Sequence, residues 1–87
     1  MHETGMVRDL VRRLERTARD NGAIRIRGAQ VWLGALSQFS ADHFREHFID
    51  ETHGTMAEGA QLDIEVSADV FHPEAQHVII TSVDLEV

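Results

Sequence analysis

Between Met6 and Ala18 the apolar residues Met6, Val7, Leu10, Val11, Leu14 and Ala18 recur at i, i+1, i+4, i+5, i+8 and i+12. That spacing is one face of a 3.6-residue period and predicts an amphipathic helix over Thr4–Asp20. Arg8, Arg12, Arg16 and Arg19 fall on its solvated side, and Thr4 is the expected N-cap. Asn21-Gly22 is the expected stop, because both residues tolerate the left-handed cap conformation.

The period then changes to two. In AIRIRGAQVWLG, Ile24 and Ile26 share one parity and Val31 and Leu33 the other. A strand with a bulge near Gly28 accounts for the switch. After a turn over Gly34–Gln38, Phe39, Ser40 and Phe44 form an N′, N-cap and N4 set, the arrangement of a hydrophobic staple. A second helix is expected from about Ala41 to about Thr52, with Phe44 and Phe48 on its buried face and Gly54 at its exit. QLDIEVSA alternates cleanly, with Leu62, Ile64 and Val66 inward. HVIITSVDLEV is a third strand, and FHPEAQH between them reads as a turn punctuated by Pro73. The order is α-β-α-β-β. The predicted fold is α+β, a two-layer sandwich with two helices on one face of a three-stranded sheet. The last two strands are expected to form an antiparallel hairpin.

Composition narrows the functional classes. With 87 residues the chain is one domain, 1–87, near the small end of what folds alone. A net charge of −7 argues against nucleic acid and against anionic membrane surfaces. No apolar run approaches the ~20 residues of a membrane span, and no basic segment followed by an apolar one marks a secretory signal. The absence of cysteine removes disulfides, thiolate zinc sites and cysteine nucleophiles together, and a cytoplasmic location is expected. A small domain with an unprotected strand edge leaves a homodimer open.

Six histidines raise the question of metal. The bulky second residue, His2, is expected to protect Met1 from removal and leave a free α-amine. That amine, the next amide nitrogen and the His2 imidazole can form fused chelate rings around one ion, with Glu3 adding an amide or carboxylate. Loss of an amide proton favours square-planar Ni(II) or Cu(II) over Zn(II). A Met-His start also arises by chance, and would then be a tail ahead of the helix. His43 and His47 stand at i, i+4, the spacing that lets two imidazoles meet one ion, although no third ligand is evident. His72 and His77 bracket the HPEAQH turn and could converge with Glu74, or could be solvated loop residues. His53 suits the C-terminal end of the second helix. Catalysis finds little support: Ser40 is explained as a cap, a triad drawn from Ser37 or Ser40 lacks an oxyanion hole, and GTMAEGA lacks the Lys-Ser/Thr of a phosphate loop. The chain does not read as an enzyme.

MHE at the N-terminus, the G-x-L-S of Gly34–Ser37, and the GT-x-AEGA-x-L-x-IE of Gly54–Glu65 together resemble the HypA family of nickel metallochaperones. The resemblance covers about residues 1–66, and the final strand also looks like the family's closing strand. It implies Ni(II) held transiently by Met1, His2 and Glu3, and a lobe of two helices on a three-stranded sheet. It also implies delivery to an apo-metalloenzyme such as a hydrogenase, with a HypB-type GTPase as a further partner. Family members insert a zinc lobe carrying two Cys-x-x-Cys pairs before the last strand; here a short turn near residues 71–77 stands in its place. Structural zinc held by four cysteines is therefore excluded, and His43, His47, His72 and His77 are the secondary metal candidates. Binding at Met1, His2 and Glu3 is expected to weaken below about pH 6, since the imidazole and amine must lose protons to ligate. The rival reading is a metal-independent adaptor with a HypA-like fold, serving another oxidoreductase system through an open sheet face or an edge strand.

Overall fold

A computed structural model describes the backbone from His2 to Val87 and the side chains from Gly5 onward. Helix α1 (His2–Asp20) is followed by strand β1 (Arg25–Leu33), helix α2 (Ala41–Thr52), and strands β2 (Gln61–Val66) and β3 (Val78–Glu86). The predicted order and class hold.

The apolar stripe of α1 is buried as its spacing requires: Val7, Leu10, Val11, Leu14 and Ala18 all lie in the core. The helix starts at His2, so Thr4 is inside its first turn and is not the N-cap. Its end is a Schellman motif. Gly22 takes φ 71°, its N–H donates to Arg19 O, and the Ala23 N–H donates to Ala18 O. Helix α2 begins where the sequence predicts, with the Ser40 side chain accepting a hydrogen bond from the His43 N–H. Phe44 and Phe48 are fully buried beneath it, and Phe39 packs edge-on against Phe44 at 5.5 Å and 86°.

The sheet departs from the expected topology. Its order is β2-β1-β3, with β1 in the middle, parallel to β2 and antiparallel to β3. The hairpin expected between the last two strands does not form. The β1–α2–β2 segment is a crossover unit, and a helix between two strands returns the chain in the same direction. The 11 residues from Ser67 to His77 then carry the chain past β1 to its other edge. That length exceeds the two to five residues of a tight hairpin.

Within β1 the predicted bulge is present. The register against β3 shifts between Ile26 and Gly28, and again between Gln30 and Val31. Ile26 is buried on one side of the first shift, then Gly28 and Ala29 in succession, then Val31 and Leu33. A Cβ on Gly28 would stand 3.0 Å from the Gln61 carbonyl oxygen of the neighbouring strand. The face of the sheet away from the helices is polar: Ser82 Oγ donates to Gln30 Oε1 at 2.8 Å, and Arg27 pairs with Asp84 at 3.7 Å. One face is thus packed and one is solvated.

The two family-like motifs build connections. The N–H groups of Gly34 and Leu36 donate to the His77 and Ala75 carbonyls at 2.9 and 2.7 Å, docking the 67–77 segment onto the end of β1. Ser37 Oγ accepts from the Phe39 N–H ahead of α2. In GTMAEGA, Gly54 and Gly59 both take positive φ, Thr55 Oγ1 donates to Thr52 O, and Ala57 is fully buried. The Ile26 N–H donates to Met56 O, so this connection also ties back to β1. Its glycines shape the turn.

Candidate metal centres

Met1 and the side chains of His2 and Glu3 lie outside the described residues. The backbone of His2 and Glu3 belongs to the first turn of α1.

His43 and His47 converge. Their Nε2 atoms are 3.1 Å apart, while the ring centroids are 4.7 Å apart and tilted by 54°. The rings therefore lean together at their nitrogen ends. Both are half-buried. Phe39 flanks both, at 5.8 Å from the His43 ring and 6.4 Å from that of His47. The helical spacing was legible in the sequence, whereas the contribution of Phe39 was not. Its position before the N-cap announced a staple with Phe44 but not a wall for the imidazoles. One turn beyond His47, Glu51 receives a two-pronged hydrogen bond from Arg8 of α1, at 3.1 and 3.5 Å. That bond and the carboxylate's charge hold the Arg8 guanidinium above its usual pKa.

In the 67–77 segment the His72 ring lies against Trp32 at 4.8 Å, and its Nδ1 accepts the Glu74 N–H at 2.9 Å. His77 Nε2 is 4.0 Å from Glu74 Oε1. The contact with Trp32 had no signature in the sequence, because it depends on how this segment crosses the sheet. His53 caps α2 and pairs through Nδ1 with Glu58 at 3.0 Å. Among the described residues, no group of three or more His, Cys, Asp or Glu is arranged to hold a metal ion. Ser37 and Ser40 both accept from backbone amides, one stabilising a turn and the other a helix start.

The described residues thus form a small α+β domain with one converging pair of imidazoles and with both serines committed to structure. The model of the HypA family, described as hydrogenase/urease nickel incorporation, metallochaperone, matches residues 1–78, and the chain belongs to that family. Hydrogenase maturation factor HypA of Chlorobium limicola is 37% identical over 70 residues, covering 80% of this chain and 60% of the relative. The HypA of Methylocella silvestris is 36% identical over 66 residues, covering 76% of this chain and 58% of the relative. That of Acidithiobacillus ferrooxidans is 34% identical over 64 residues, covering 74% and 57%. The chain therefore matches somewhat under two thirds of the length of these relatives. It contains no cysteine, so no Cys-type zinc site is present in it. No helix among the described residues is long and apolar enough to cross a membrane.

Proposed function

We propose that this chain is a nickel metallochaperone of reduced form, which binds Ni(II) at Met1, His2 and Glu3 and passes it to an apo-metalloenzyme such as a hydrogenase. The observation that carries this reading is the extent of the family match, which runs from residue 1 to residue 78 and so includes the Met-His-Glu segment. In the proposed chelate Met1 supplies the amine, His2 its amide and ring nitrogens, and Glu3 an amide or carboxylate. The first four N–H groups of a helix have no acceptor within it. The amide nitrogens this chelate would use, at the start of α1, thus stand outside the helical ladder. The cargo is transient, the chain does no chemistry on it, and a HypB-type GTPase and a cytoplasmic setting belong to the same proposal.

The lack of cysteine and the partial coverage of its relatives favour a second reading. In that reading the scaffold is kept as an adaptor that does not deliver metal. Calorimetric titration with Ni(II) separates the two. The first predicts one tight equivalent in the native chain that disappears in His2→Ala; the second predicts no tight equivalent in either.

A further inference from the structure

We propose that His43 and His47 form a second metal site, a bidentate imidazole clamp for a borderline divalent transition metal, independent of the N-terminal segment. Nitrogen ligands lie about 2.0–2.1 Å from such ions. Two nitrogens 3.1 Å apart then subtend an angle of about 98° at the ion. That bite lies between the right angle of square-planar or octahedral coordination and the wider tetrahedral angle, so an ion enters without moving the helix.

The clamp is prearranged on three sides. Phe44 and Phe48, one residue beyond each ligand, are buried and fix the rotation of α2. The Ser40 cap holds the backbone N–H of His43 itself. The Phe39 ring flanks both imidazoles and limits where they can turn. In the absence of metal the two Nε2 atoms share one hydrogen bond, so one ring carries its proton at Nε2. An ion takes the Nε2 lone pairs of both rings. The displaced proton returns through solvent to Nδ1 of the same ring, and both imidazoles stay neutral.

Glu51, next in the same row of α2, is engaged by Arg8. Among the described residues the clamp accordingly offers two ligands, and the remaining coordination positions are taken by water or by a donor from another molecule. Neutral imidazoles select Cu(II), Ni(II) and Zn(II) over Mg(II) and Ca(II), with Cu(II) tightest.

The test uses the full chain, Zn(II) as a diamagnetic probe, and imidazole nitrogen shifts read by long-range proton–nitrogen correlation. The Nε2 signals of His43 and His47 are expected to move together in one transition, with the same midpoint in the native chain and in His2→Ala. His47→Gln, a good helix former at a half-buried surface position, keeps the fold by circular dichroism. It is expected to weaken Zn(II) binding at His43 about a hundredfold, because the second ligation step is intramolecular. Independent titration of the two rings, an unchanged midpoint at His43 in His47→Gln, or no shift at either ring in excess Zn(II) would each overturn the proposal. Failure of the N-terminal nickel site leaves these outcomes unaffected, since neither His43 nor His47 belongs to it.

Discussion

Gly34→Ala is expected to be among the most damaging single-methyl additions in the chain. A Cβ at this position would stand 2.5 Å from the Ala75 carbonyl carbon and 2.8 Å from the Glu74 oxygen, with the Ala75 carbonyl oxygen closer still. All three atoms are backbone, so no side chain can swing away. Relief requires the 67–77 segment to lift from the end of β1. That movement threatens the hydrogen bonds from Gly34 to His77 and from Leu36 to Ala75, and uncovers the buried Ala75. Overpacking of this kind costs about 1–3 kcal/mol, and each hydrogen bond about 1 kcal/mol. With partial relaxation, a loss of roughly 2–4 kcal/mol is expected. Urea denaturation followed by circular dichroism measures it as a fall in midpoint with an unchanged slope. The matched control is Gly5→Ala on α1, where a new Cβ meets nothing within 4 Å. There the better helix former is expected to leave stability unchanged or to raise it by up to about 1 kcal/mol. A Gly34→Ala variant within about 0.5 kcal/mol of the native chain would refute the docking of the 67–77 segment described above.

Phe44→Ala empties a fully buried ring site between Phe39 and Phe48, and is expected to cost about 3–5 kcal/mol by the same denaturation assay. Ser40→Ala removes the side-chain acceptor of the His43 N–H and is expected to cost about 1 kcal/mol, whereas Ser40→Asp is expected to retain most of the stability. An equal loss in both Ser40 variants would show that the cap is not what stabilises the start of α2.

The helices and the bulge were legible because each rests on a local rule. A 3.6-residue stripe from Met6 to Ala18, a staple around Ser40 and a parity switch at Gly28 all act within a few residues of chain, and tertiary packing reinforced them. Strand pairing was less legible. Nearness in sequence favoured β2 with β3, yet the partner of both is β1, a choice made by the helix between β1 and β2 and by the length of the 67–77 segment. The crossover signal was present in the order β-α-β, and was outweighed by the turn character of FHPEAQH. Val66 shows the consequence: its alternation predicts an inward position, but at the end of an edge strand it is 53% exposed.

The metal chemistry divides in the same way. The i, i+4 spacing of His43 and His47 follows from helical geometry alone, and their Nε2 atoms do meet. His72 and His77 depend on the path of an irregular segment, and His72 turns instead to Trp32. The motifs that carried the family resemblance, G-x-L-S and GT-x-AEGA, are occupied with turns and close backbone contacts. They hold the scaffold together, and the proposed cargo residues Met1, His2 and Glu3 belong to neither motif.

The most direct test of the central claim compares nickel binding by the native chain with that of a chain carrying a few extra residues before Met1. Extension leaves every described core contact in place but converts the Met1 amine into an amide, which removes one proposed ligand. The account predicts one tight Ni(II) equivalent for the native chain and its loss from the extended one, with both chains equally stable to urea. Equally tight nickel binding by the extended chain would contradict the terminal-amine chelate.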